Sequence, residues 1–127
     1  MRDKFYRAAI NTVINDSDAS MQHHHACVLA RGGRIVSIGT NKRKKNSFVA
    51  FLSRSIHKTL HAEMVAIVRA RKKIDLSGCD AYVFRLNRAG QLANSEPCVL
   101  CKRALQQYGI KRAYFSSEDG SVVCIKI

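Results

Sequence analysis

The sequence predicts an α/β domain: a three-layer α/β/α sandwich on a five-stranded mixed sheet, with the last two strands antiparallel. Three observations carry this. Three segments show apolar residues at helical spacing, and five short apolar segments lie between turn formers. Only Ser116 to Ser121 joins the last two of these strands. A parallel pair needs a crossover of about a dozen residues, whereas an antiparallel pair needs only a turn.

Residues 2–14 carry Tyr6, Ala9, Ile10 and Val13 at i, i+3, i+4 and i+7, an amphipathic helix. Asn15 to Asp18 ends it with turn formers, and His23-His24-His25 reads as a loop entering a strand. His25 to Ala30 and Arg34 to Ile38 flank Gly32-Gly33, a hairpin signal. Gly39 to Thr59 has no comparable period and reads as a long loop carrying Phe48 and Phe51, the kind of segment that borders functional sites. A helix is expected from His61 to about Lys73, a buried strand over Ala81 to Phe84, and a turn over Asn87 to Gln91. A second motif helix runs from Cys98 to Tyr108, stopped by Gly109, and strands follow at Arg112 to Phe115 and Val122 to Ile125.

The chemistry concentrates in His61-Ala62-Glu63 and Glu96-Pro97-Cys98-Val99-Leu100-Cys101. One imidazole and two thiolates suit Zn2+, and three protein ligands leave a fourth position open, as in catalytic sites. Cys98 and Cys101 are three apart, so a helix presents them on one face. Pro97 suits that helix's first turn, where a missing N–H costs nothing. Water on zinc has its pKa lowered to roughly 7. Glu63, beside the metal but not bound to it, is the candidate to move its proton. A competing reading is a closed structural site, with Cys27, Cys79, Cys124 or His57 as fourth ligand.

These two motifs together resemble the zinc-dependent cytidine and deoxycytidylate deaminase superfamily. The likeness spans residues 24–127 and includes Ile38-Gly39-Thr40-Asn41 and the turn at Gly109-Ile110-Lys111-Arg112. It implies a cytidine deaminase-like fold, zinc on His61, Cys98 and Cys101, and Glu63 as the catalytic residue. It also implies that Asn41 contacts the substrate's sugar or base. The backbone around Ala62 and the Ser95-Glu96-Pro97 loop would frame the base, and Phe48 would stack on it, with core packing as Phe48's alternative role. The antiparallel final strands resemble the free-nucleoside branch, whereas E-P-C-V-L-C resembles the branch acting on transfer RNA, single-stranded DNA and deoxycytidylate. The stretch 87–95 is longer than the family's usual approach to the cysteines. A hairpin at the pocket rim is one reading of it. Self-association as a homo-oligomer is a further implication.

Composition sets the outer limits. At 127 residues and 46% hydrophobic, the chain suits a single domain over 1–127 with a real core. No apolar run approaches a membrane span. Five cysteines, two assigned to metal, suit a reducing compartment, so a cytoplasmic or nuclear setting is expected. Net charge is +13, and Arg31 to Lys73 holds twelve basic residues and a single acid, Glu63. The reading is that this charge surrounds the motif and attracts phosphates. The expected substrate is therefore a cytosine-containing nucleotide or single-stranded nucleic acid. The alternatives are an adenine deaminase of transfer RNA and a non-catalytic, zinc-structured nucleic-acid-binding module.

Overall fold

Gly32 and Gly33 adopt positive φ values of 59° and 81° and close a two-residue hairpin between β1 (His24–Arg31) and β2 (Arg34–Thr40). Two successive left-handed residues match the twist of the flanking strands, which is why glycines stand there. The structure is a computed structural model, and it describes residues 3–15, 24–43 and 59–127. The remaining elements are α1 (Asp3–Asn15), β3 (Lys42–Arg43), β4 (Thr59–Leu60), α2 (Ala62–Ala70), β5 (Asp80–Leu86), β6 (Leu92–Ala93), α3 (Val99–Gln107), β7 (Arg112–Ser116) and β8 (Val122–Lys126).

The main sheet runs β2-β1-β5-β7-β8. Only β5 and β7 are parallel neighbours, and β7 and β8 are antiparallel, as the short connection requires. The five expected strands are present, and a sixth, β6, pairs with the end of β5. The stretch 87–95 is therefore a hairpin. Asn87 holds its turn by accepting from the N–H groups of Ala89 and Gln91. Of the stretch 39–59, read as one long loop, Gly39 and Thr40 close β2, and Lys42–Arg43 pair with Thr59–Leu60 as the small ladder of β3 with β4; residues 44–58 lie outside the described residues. The strand pairing is long-range and too short to leave a period in sequence. The motif helix stops at Ala70, short of Lys73, in a turn whose amides bond back to Ala70. The strand expected from His25 starts one residue earlier, at His24.

Alternation along the strands makes the three layers. Ala26, Val28, Ala30, Tyr82 and Phe84 face α1 and its buried Phe5, Ala9 and Val13. Tyr6 meets Phe84 edge-on at 4.9 Å, and Tyr82 stacks on Tyr114 at 4.7 Å. Cys27, Leu29, Ala81, Val83 and Ala113 face α2 and α3. Each fully buried large side chain contributes about 1.5–3 kcal/mol. Among the described residues, no helix is long and apolar enough to cross a membrane.

The basic stretch does not gather round the motif throughout its length. Arg31 and Arg34 sit at the hairpin turn, and Arg31 donates to the carbonyls of Asp75 and Ser77. Ala30 pairs with Asp80 at the start of β5, whereas His24 pairs with Leu86 at its end. The turn is thus at the opposite end of the sheet from the start of α2. Hairpin geometry, not sequence proximity, separates these charges from the motif.

Candidate metal centre and active site

His61 is the N-cap of α2 and Cys98 the N-cap of α3, so both donors stand at helix starts facing one another. The His61 Nδ1 lies 3.5 Å from the Cys98 Sγ and 3.3 Å from the Cys101 Sγ. Metal–sulfur bonds of about 2.3 Å and metal–nitrogen bonds of about 2.0 Å, opened to a tetrahedral angle, put those atoms about 3.5 Å apart. The three side chains therefore already stand at the spacing that a shared Zn2+ demands, and one soft-donor pair with one imidazole suits that ion.

The cysteines are arranged differently from a simple helical pair. Cys98 is not in the helix: its Sγ caps α3 by accepting from the Cys101 N–H at 3.5 Å. The same sulfur thus satisfies an orphan helix donor and is one of the three donor atoms grouped where a metal ion would fit. Pro97 consequently lies one residue before the cap, outside the first turn, and is buried. Contacts from the Cys101 thiol and from His61 hold the Cys98 thiol down at about 3. The neighbouring Cys98 sulfur and burial push the Cys101 thiol well up. A divalent cation held between them would reverse the second shift, because cysteines bind such ions as thiolates.

Glu63 is 3% exposed and sits two residues into α2. Burial raises its carboxyl above the ordinary value, opposed by its own backbone N–H, by His61 and by the Cys101 thiol. It is within reach of the donor cluster without belonging to it. Behind it lies Cys27, a fully buried thiol pushed well up by desolvation and by Glu63.

The frame holding the two helix starts is specific. Gly39 presses against α2: a Cβ there would stand 2.4 Å from the Ala66 N and 2.5 Å from the Ala62 O. Ser37 donates to the Ala66 carbonyl and Arg69 to the Ile38 carbonyl, strapping β2 to α2. On the other side, Ser95 donates its hydroxyl to the Val83 carbonyl at 2.7 Å and accepts from the Ser116 N–H at 2.8 Å. Its own N–H donates to the Ser116 carbonyl. The loop entering Cys98 is thereby locked to β5 and β7.

A sequence model of the family described as "Cytidine and deoxycytidylate deaminase zinc-binding region" matches residues 1–117. The chain belongs to this family. Similar to it is a "tRNA-specific adenosine deaminase" of Aquifex aeolicus (strain VF5), 36% identical over 73 residues, 53% of this chain and 42% of that protein. The chain thus matches under half the length of that relative. Among solved structures, a cytidine deaminase from Burkholderia pseudomallei superimposes with a TM-score of 0.68 at 14% identity, covering 99% of this chain and 92% of that one. A dCMP deaminase from the cyanophage S-TIM5, in complex with dCMP and dUMP, gives 0.61 at 19% identity, covering 93% and 85%. At such identities these two likenesses describe the fold.

In this deaminase-family chain, then, the structure brings together His61, Cys98, Cys101, Glu63 and the buried Ala62. Asn41 is buried at the end of β2, its carboxamide oxygen accepting from the His25 N–H at 2.8 Å. Ser95 and Pro97 flank the cysteines. Phe48 and the possible ligand His57 lie outside the described residues. Among the described residues, Cys27, Cys79 and Cys124 stay out of the donor cluster. Sequence reasoning missed Gly39 and Ser116 as supports. Gly39 was visible as a strand glycine, which signals close approach of another backbone, whereas nothing local marks Ser116.

Proposed function

We propose that this chain is a zinc-dependent hydrolytic deaminase that converts a cytosine base to uracil with release of ammonia, on a substrate that carries phosphate. The observation that carries the reading is the buried carboxylate of Glu63 beside a three-donor cluster. A purely structural site has no use for a desolvated acid at that position.

Bound to His61, Cys98 and Cys101, zinc supplies Lewis-acid activation of the attacking water. Everything else falls to the chain. Glu63 takes a proton from that water and passes it to the ring nitrogen as the water's oxygen bonds to the adjacent carbon; it then carries the remaining hydroxyl proton to the amino group, whose bond to that carbon breaks to release ammonia and leave the carbonyl. Its raised proton affinity suits a group that must both accept and return protons near neutrality. Asn41, fixed through His25, orients the sugar, and the backbone at Ala62 and Ser95 frames the base. Burial of Ala62, Glu63 and Ser95 keeps competing water from the carboxylate.

A second reading is adenine-to-hypoxanthine conversion in transfer RNA, favoured by the likeness to the Aquifex aeolicus protein. The antiparallel β7–β8 pair weighs against this second reading, because that pairing resembles the free-nucleoside branch; the phosphate in the first reading rests on the basic charge of the chain. The test is a panel on zinc-loaded protein: cytidine, deoxycytidine, their monophosphates, adenosine, single-stranded DNA and RNA, and transfer RNA, scored by ammonia release and base identity. Uracil formation supports the first reading. Hypoxanthine alone moves the assignment to the second, and no turnover on any substrate removes both.

A further inference from the structure

Beside the loop that leads to Cys98 is a cavity of about 750 Å³ between the β5–β6 hairpin and the β7–β8 turn. Arg85 lines it, and the Arg85 Nε is buried without a hydrogen-bond partner among the described residues. A buried guanidinium nitrogen left unmatched costs free energy, which a ligand that supplies an acceptor recovers. Asn87, Gln91 and Asn94 add amide groups to the same wall.

The strand register locates Arg85 relative to the metal centre. Cys27 and Val83 pair across β1 and β5 on the face toward α2, with Cys27 next to Glu63. His25 and Arg85 pair two residues further on, about 7 Å along each strand and on the same face. His25 is also the residue whose N–H holds Asn41. Across the sheet end, the order is therefore Asn41, His25, Arg85, Ala93, in steps of about 4.8 Å from strand to strand.

We propose that Arg85 is the phosphate-recognition residue of this protein, its guanidinium meeting a phosphate on the sugar of the bound nucleotide. The inference rests on the deaminase reading, which puts the base at the metal centre and the sugar at Asn41. Arg85, on β5, then stands two strands across from Asn41, about 10 Å away at about 4.8 Å per step, a span that a sugar with its phosphate and the long arginine side chain bridge together. The planar guanidinium fork matches phosphate oxygens in a way that an ammonium does not. The cavity's two carboxylates do not displace such a ligand: Asp119 is taken up by Ser117 and Ser121, and Glu118 is exposed.

The test compares zinc-loaded wild type, Arg85→Gln and Arg85→Lys on three substrates of the active base: nucleoside, nucleoside monophosphate and a single-stranded oligonucleotide. In Arg85→Gln, the preference for a phosphate-bearing substrate over the nucleoside, as a ratio of kcat/KM, is expected to fall about tenfold or more, chiefly through KM. Arg85→Lys recovers part of it. Whether the monophosphate or the oligonucleotide suffers identifies the source of the phosphate. An unchanged ratio for both, or an equal fall on all three, overturns the proposal. If no substrate turns over, the deaminase reading fails by itself. Calorimetric binding of cytidine monophosphate against cytidine then decides for Arg85: a monophosphate affinity that depends on Arg85 sustains its role, and equal affinities in wild type and Arg85→Gln overturn it.

Discussion

Gly39 and Ala62 stand so close that the carbonyl oxygen of Ala62 occupies the space where a β-carbon on residue 39 would be, 2.5 Å away. The second obstacle, the Ala66 N at 2.4 Å, is also backbone. Neither can swing aside as a side chain would. Gly39→Ala must therefore push β2 off the first turn of α2, which carries His61 and Glu63. The expected cost is about 3 kcal/mol, the upper end for overpacking, with weaker zinc retention. Urea denaturation with and without a chelator measures both, and an unchanged midpoint would show that the two elements are not tightly docked.

Ser95 and Ser116 form the second strap. Ser95→Ala leaves the buried Ser116 N–H and the Val83 carbonyl each short of a partner. The expected destabilisation is about 1–3 kcal/mol, together with a lower kcat/KM, because the same loop delivers Cys98. Retained stability in chemical denaturation would mean that other groups fill in.

Removal of metal should lower the melting temperature, since a ligand that binds only the folded chain stabilises it. Cys98→Ser or Cys101→Ser should lose at least about 100-fold in zinc affinity, more than the change of an outer-shell partner. Cys124→Ser, exposed and outside the cluster, should keep one zinc per chain. Competition with a chromophoric chelator reads these affinities. Zinc loss from Cys124→Ser would contradict the ligand set.

Acid should weaken the β7–β8 turn in a defined window. Hydrogen bonds from the Ser117 and Ser121 hydroxyls and from the Ser121 N–H hold the Asp119 carboxyl down at about 2. With the folded value below the unfolded one, its contribution is present above about pH 4 and lost as pH falls toward 2. The stability difference between wild type and Asp119→Asn should therefore be present at pH 5 and vanish near pH 2. Metal-free samples keep zinc release out of the comparison. A difference that persists at the lower pH would contradict this origin.

Much of this was legible in the chain. The hairpin at Gly32-Gly33, the short 116–121 connection and the apolar runs of β1 and β5 each follow from local rules, and the structure keeps them. His61, Cys98 and Cys101 were legible because metal donors come in few residue types and fixed spacings. What sequence did not reveal depends on partners far along the chain. The Ser95–Ser116 pair spans 21 residues and the β3–β4 ladder consists of two residues per strand, so neither leaves a period. The capping role of Cys98 was hidden because its sulfur does two tasks, only one of which its spacing announces. Arg85 lay just past the expected strand of Ala81 to Phe84, and only the observed register of β5 puts it beside His25.

The account turns on Glu63 working as a proton carrier next to a metal that it does not hold. The direct measurement is zinc content and ammonia release on the same preparation of Glu63→Gln, with whichever substrate the wild type turns over. One zinc per chain with turnover lower by about 100-fold or more is the predicted result. Turnover near the wild-type rate with zinc in place, or loss of the zinc itself, would contradict it.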